Sequence, residues 1–275
     1  MAKKKKVLLL AHEDLYGGGT RQTFHVLQAL CRRPDCEPVL VSNAADTWLG
    51  RQVAEHCPRL RTHYTALIGR AIHPAKDFAV LCYLLGVFLR ERPHTVLVSG
   101  VKLIGLAGVA GWLARVPNTV AVIRGEGARP GSRMLKAIYA MEWFVAKLGV
   151  RFVTVSDYIR GQMLAHGLCG PEKVAAVHDG TELPQAPPPP RGALRQRFGI
   201  PDGAVVVGRL VDGKRYDHFV AAMAPVCRDI PDAYGLLVGE GSDRAALQAR
   251  IDAEGLSNRL FITGFCQDMP AVYAD

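Results

Sequence analysis

Strand-like runs and helical patterns alternate along this chain from its start almost to its last residue, and that alternation leaves few folds open. Parallel strands need long crossovers, which helices usually fill, so the pattern reads as a parallel sheet covered by helices on both faces. Strands are expected at residues 5–11, 37–42, 62–65, 95–99, 119–124, 152–156 and 174–178. Helical spacing is expected over 20–31, 47–56, 75–90, 103–114, 132–148 and 157–166. On the first helix Phe24, Leu27, Leu30 and Cys31 share a face, and Ser156 or Asp157 caps the last. The apolar runs 78–89 and 103–114 are short of the roughly 20 residues of a membrane span and read as buried helices.

The series breaks at 184–191, PQAPPPPR, where consecutive prolines favour an extended polyproline segment without ladder hydrogen bonds. Beyond it the alternation restarts: helix 193–198, strand 204–208, helix 216–228, strand 234–238, helix 243–254, strand 260–262 and a helical turn from Met269. The expected organisation is a domain over 1–183, a linker over 184–191 and a second domain over 192–275 with three strands. That is about half of the six strands common in doubly wound domains.

Hydrophobic content of 49% with 21% charged residues describes a soluble globular protein with a core rather than a disordered chain. The seven cysteines contain no C-x-x-C pair and no histidines at zinc-ligand spacing, so they read as free thiols in a reducing cytoplasm. The start, MAKKKKVLLLAHEDL, has too short an apolar run for a signal peptide and reads as a basic leader on a first strand. Four of the charges behind the net +9 are Lys3, Lys4, Lys5 and Lys6. With no zinc-finger spacing, RNA-binding aromatic signature or dense basic stripe, nucleic acid is disfavoured, and an anionic membrane surface or phosphate-bearing ligand suits the charge better.

Five segments carry candidate chemistry. In 205–214, VVVGRLVDGK, a strand runs into Gly208, Arg209 and Lys214 just before a helix. Cations are disfavoured at a helix start unless an anion binds there, so the pair points to a phosphate. In 12–22, HEDLYGGGTRQ, Gly17, Gly18 and Gly19 let backbone N–H groups approach a phosphate at a helix entrance, with a merely flexible loop as the alternative. A nicotinamide fingerprint fails here: it needs glycine at Gln22 and an acid after the next strand, which ends in Ser42 and Asn43. The turn 238–241, VGEG, with Gly239 and Glu240, and the turn 263–265, TGF, with Gly264 and Phe265, are strand ends that serve either a ligand or the fold. In 123–133, IRGEGARPGSR, Arg124 or Glu126 offers a guanidinium or a carboxylate to the hydroxyls or phosphates of a ligand. The helix after it carries Met134, Trp143 and Phe144 beside Arg133, Lys136 and Lys147, which suits either a core or a lipid surface. Asp-x-Asp, Walker, zinc and Ser-His-Asp motifs are all missing.

Taken in order, GGG at 17–19, VSDYIRGQM at 155–163, VVVGRLVDGK, VGEG and TGF resemble the retaining nucleotide-sugar glycosyltransferases of the GT-B fold, the family-four type, over nearly the whole chain. The resemblance implies an α/β fold of two Rossmann-like doubly wound domains, the first acceptor-binding and the second, left incomplete, nucleotide-sugar-binding. Arg209 and Lys214 match the family's catalytic diphosphate clamp. Gly17, Gly18, Gly19, Gly208, Gly239, Glu240, Gly264 and Phe265 match donor-binding positions, and Arg124 and Glu126 fall on the acceptor side, where many members carry histidine-glycine. Thr20 departs from the small acidic residue often found after the glycines, and 178–182, HDGTE, stands in for Asn-Gly-Val-Asp. The resemblance further implies a nucleoside diphosphate sugar donor, a glycan or lipid-linked acceptor, no cofactor and no metal. It places the protein in the cytoplasm, in peripheral contact with the inner membrane face, working in lipopolysaccharide or surface-polysaccharide assembly. The family's Glu-x7-Glu segment would follow Asp275, so a longer natural enzyme and weak activity for these 275 residues are expected. A non-catalytic nucleotide- or acceptor-binding remnant and a nicotinamide-dependent enzyme are the other readings.

Overall fold

The computed structural model describes residues 4–12, 17–69, 71–125, 131–180, 192–208, 216–241, 243–266 and 269–274. The chain forms two compact units, Met1–Thr181 and Glu182–Asp275.

In the first unit the order is β1 (Lys5–Leu10), α1 (Gly18–Arg32), β2 (Cys36–Ser42), α2 (Trp48–His56), β3 (Arg61–Tyr64), α3 (Pro74–Glu91), β4 (Thr95–Ser99), α4 (Val101–Leu113), β5 (Asn118–Ile123), α5 (Arg133–Lys147), β6 (Arg151–Thr154), α6 (Asp157–Ala165) and β7 (Val174–Ala176). The strands form one parallel sheet ordered β3-β2-β1-β4-β5-β6-β7. The central strand β1 reads as an unbroken apolar run because both its faces are covered. Leu8 and Leu10 join Val80 and Leu84 of α3 and Ile104 of α4 in one core layer. Val7 and Leu9 face the other way, onto Phe24 and Leu27 of α1 and Leu49 and Val53 of α2. In this strand order the direction in which successive strands are added reverses between β1 and β4, the place where open α/β sheets leave a crevice at their carboxyl ends.

Two details differ from the sequence reading. The buried stripe of α1 is Thr20, Thr23, Phe24 and Leu27. Cys31 is exposed, because the last turn, which also carries Arg32, faces water. Helices α3 and α4 are one-faced rather than buried all round: Val80, Leu84, Val87 and Phe88 are inside, while Phe78, Leu89, Trp112 and Leu113 are exposed. No helix among the described residues is long and apolar enough to cross a membrane.

The last residue of α3 closes this unit at the amino end of the sheet. Glu91 is buried and takes hydrogen bonds from Lys6 Nζ at 2.9 Å and Arg61 Nη1 at 2.8 Å, with His63 Nε2 at 3.0 Å. Burial alone would raise this carboxyl, but the bonds from Lys6, His63 and Arg61 outweigh it and hold it at about 2.

The second unit runs α7 (Ala193–Phe198), β8 (Val205–Gly208), α8 (Tyr216–Asp229), β9 (Ala233–Val238), α9 (Arg244–Ala253), β10 (Leu260–Gly264) and α10 (Met269–Ala274). Its described strands form a parallel sheet ordered β10-β9-β8. One face packs on Val220 and Met223 of α8 and Leu247 and Ile251 of α9. The other packs on Leu194, Ile200 and, half-buried, Met269 and Val272. Arg195 is buried and donates to the carbonyls of Pro201, Asp202 and Ala204 at 2.6, 3.2 and 3.1 Å, tying α7 to the entry of β8. The proline-rich segment 184–191 lies outside the described residues.

Candidate functional site

Helix starts distinguish the carboxyl edge of the first sheet. The opening N–H groups of a helix have no intrahelical partner and need a cap, water or a ligand. Side chains cap α2 (Thr47), α3 (His73), α5 (Ser132) and α6 (Ser156). The two helices that leave the reversal point, α1 and α4, open instead on Gly17 and Gly100, with no side-chain cap and no acidic residue in the first turn. Lys102, in the first turn of α4, is turned toward α3, donating to Ala71 O at 2.7 Å and Asp77 Oδ1 at 2.9 Å. Two helix-dipole N-termini thus stand at neighbouring strand ends without a carboxylate of their own.

Nothing among the described residues requires glycine at the start of the α1 entrance. A Cβ on Gly17 or Gly18 would meet nothing within 4 Å among the described residues, and neither has a left-handed backbone. At Gly19 the space is bordered by one side chain: a Cβ there would touch Cδ and Nε of Arg124 at 3.9 Å. Arg124 follows β5 and reaches across toward α1, while its Nη1 donates to Asp179 Oδ2 at 2.9 Å, beyond the end of β7. Its Nε is buried without a hydrogen-bond partner among the described residues. The sequence-predicted Gly17, Gly18, Gly19 and Arg124 are therefore one group, whereas Glu126 lies outside the described residues.

In the second unit the strand ends again collect the predicted residues. Gly208 ends β8, and a Cβ there would collide with the backbone carbonyl of Leu236 in β9, so close strand packing by itself demands this glycine. Gly239 and Gly264 both have left-handed φ values, 132° and 78°, and Gly239 N donates to Gly264 O at 2.9 Å, joining the ends of β9 and β10. Glu240 sits over Gly264, held by Arg244 Nη1 at 2.9 Å. Phe265 projects into solvent, 63% exposed. Arg209 and Lys214, between β8 and α8, lie outside the described residues. No group of three or more His, Cys, Asp or Glu among the described residues is arranged to hold a metal ion.

Sequence reasoning missed Gly100, Asp179 and the hold of Arg244 on Glu240. The first had a signal: strand, Ser99, Gly100, helix is the same strand-glycine-helix pattern as the others. Asp179 had none, because it meets Arg124 across 55 residues of chain.

Comparison with known proteins fixes the family. The glycosyl transferase 4-like domain matches residues 17–180, and the glycosyl transferases group 1 domain matches 195–275. This chain belongs to the GT-B glycosyltransferase family. It is 31% identical over 235 residues to the 2-deoxystreptamine glucosyltransferase of Streptomyces kanamyceticus, covering 78% of this chain and 59% of that protein. It thus spans about three fifths of the length of that relative. Among solved structures, Alr3699/HepE of Anabaena in complex with UDP and glucose superimposes with a TM-score of 0.75 at 15% identity, covering 98% of this chain and 71% of that one. The lipopolysaccharide outer core galactosyltransferase WaaB aligns with a TM-score of 0.63 at 13% identity, over 95% and 68% of the two chains. At these identities the structural matches establish the shared fold.

Proposed function

We propose that this glycosyltransferase-family chain transfers a sugar from a nucleoside diphosphate sugar to a hydroxyl-bearing acceptor, with retention at the anomeric carbon. The observation that carries the reading is the α1 entrance, where the N-cap Gly17 makes no side-chain cap and a Cβ on Gly17 or Gly18 would meet nothing within 4 Å among the described residues, at the reversal point of a doubly wound sheet. Such an entrance suits a diphosphate. The retaining family that the motifs resemble supports the stereochemistry. In this reaction negative charge accumulates on the departing diphosphate, so preformed positive groups lower the barrier. Arg209 and Lys214 are proposed to supply that charge in place of a metal. Gly208, Gly239, Glu240, Gly264 and Phe265 are proposed to line the nucleotide side, with the acceptor held by the first unit near Arg124 and Glu126. Calorimetric titration with UDP, GDP, ADP and NAD tests the donor class. One nucleoside diphosphate binding in preference to the bare nucleoside and to NAD is expected, and binding of NAD alone would refute it. Anomeric NMR of the product then tests retention.

We further propose that the acceptor is a glycan or lipid-linked intermediate of a surface polysaccharide, met at an anionic membrane face. The outward side of α5 supports this: Arg133, Met134, Lys136, Trp143, Phe144 and Lys147 are exposed, and the helix's one acid, Glu142, is buried. Basic residues among exposed aromatics suit an interfacial helix. Co-sedimentation with anionic vesicles at low salt should exceed that with neutral vesicles and fall as salt rises. Equal recovery from both vesicle types would remove the membrane reading.

A further inference from the structure

The fold brings Arg124 and Asp179 together across 55 residues of chain at the carboxyl edge of the first sheet. Arg124 leaves β5 and Asp179 follows β7, with β6 between them, and Nη1 meets Oδ2 at 2.9 Å. Neither side chain is sealed off: Arg124 is 25% exposed and Asp179 44%. A Cβ on Gly19 would stand 3.9 Å from Cδ and Nε of Arg124, so the arginine side chain runs beside the α1 entrance, and the ion pair orients its far end.

We propose that this pair reads two adjacent hydroxyls of an uncharged ring polyol, a sugar or cyclitol, on the acceptor. The proposal rests on the acceptor reading of the first unit given above. A bare arginine beside a helix N-terminus would favour phosphate. Here Asp179 compensates the charge, and a phosphate placed on Arg124 would also face the Asp179 carboxylate. Each sugar hydroxyl both donates and accepts a hydrogen bond, and the pair offers both partners side by side: guanidinium N–H groups to donate and a carboxylate to accept. The edge thereby separates two chemistries, with the α1 entrance, whose first turn carries no acidic residue, for an anion and the neutralised pair for hydroxyls. Asp179 has a double part, since it also positions the long arginine side chain.

Ligand-observed saturation-transfer NMR on the full chain tests this, with myo-inositol, glucose and galactose as uncharged probes, D-inositol 3-phosphate as the phosphate-bearing probe, and UDP as the donor-side reporter. At least one uncharged ring should show transfer that falls at least fivefold in Arg124→Ala and in Asp179→Ala and recovers in part in Asp179→Glu. UDP affinity should stay within twofold. Asp179→Asn, of nearly the same shape, guards against loss of fold and should also weaken the uncharged probes at an unchanged melting temperature. The idea is overturned if no uncharged ring binds while UDP does, or if their binding ignores both residues. It is equally overturned if D-inositol 3-phosphate binds tenfold tighter than myo-inositol through Arg124 but not Asp179. Failure of UDP, GDP and ADP alike to bind would sink the donor reading beneath it, a result distinguishable from the others.

Discussion

Gly18→Ala separates a glycine kept for a ligand from one kept for the fold, because the two cases predict opposite signs for stability. Gly18 is the first residue of α1, and a methyl there meets nothing within 4 Å among the described residues. Alanine is favoured over glycine by about 1 kcal/mol in a helix interior; at the first turn about half of that is a fair expectation. For a unit of about this size, 0.5 kcal/mol raises the melting temperature by roughly 1–2 °C. Binding should move the other way. A backbone N–H donating to a charged phosphate contributes about 1.5–3 kcal/mol, and a methyl that holds the phosphate off that backbone forfeits it, so nucleoside diphosphate affinity should fall about 10- to 100-fold. Thermal melts without ligand and calorimetric titration with UDP, or with GDP or ADP if one of these binds better, measure both. Gly208→Ala is the control, since its methyl collides with the Leu236 carbonyl and should cost about 1–3 kcal/mol of stability. If Gly18→Ala melts lower than the parent, or binds the diphosphate within twofold of it, the glycine does not serve a ligand and the proposed donor site loses its main support.

Arg209→Ala or Lys214→Ala should each weaken nucleoside diphosphate binding by about 1.5–3 kcal/mol while leaving the bare nucleoside nearly unaffected, as read by calorimetry. Glu91→Gln should cost about 3 kcal/mol at neutral pH, because the folded carboxyl titrates at about 2 instead of 4.5. That stability is fully present above pH 4.5 and lost as pH falls toward 2, so denaturant melts of the two proteins should converge in acid. Glu142 is the reverse case: burial pushes its carboxyl up to about 7, so the unfolded chain ionises first and stability falls between pH 4.5 and 7. Glu142→Gln should therefore gain up to about 3 kcal/mol at pH 8 and nothing at pH 4; a gain that does not change with pH would mean that burial of the charge is not what is relieved.

The architecture was open to sequence reasoning because hydrophobic period is a local property. The apolar run of β1, the pattern of α5 behind its Ser132 cap and the restart beyond the prolines can all be read without knowing what touches what. Errors arose where burial depends on neighbours. Cys31 continues the apolar spacing of α1, yet the last turn faces water. Phe78 and Leu89 look like core residues by composition, but they lie off the Val80, Leu84 and Val87 stripe of α3.

Glycines show the same limit more sharply, and they also show what the structure adds. In sequence, Gly18, Gly208 and Gly239 look alike, each between a strand and the helix that follows it. In space they answer to different demands. Gly208 yields to the carbonyl of a neighbouring strand, Gly239 to a left-handed backbone, and Gly18 to neither. At Gly18 the entropic cost of glycine has no structural return among the described residues, which is what the proposed diphosphate contact would supply. Four helices of the first unit receive side-chain caps, and the two that leave the reversal point do not. The N-cap glycines of those two helices make no side-chain cap, which leaves the helix starts suited to a phosphate, while Arg124 beside α1 is matched to Asp179 and so is not simply more positive charge. On the proposed reading, recognition of the acceptor ring and recognition of the donor phosphate would change independently, the first through residues 124 and 179, the second through the backbone of residues 17–19.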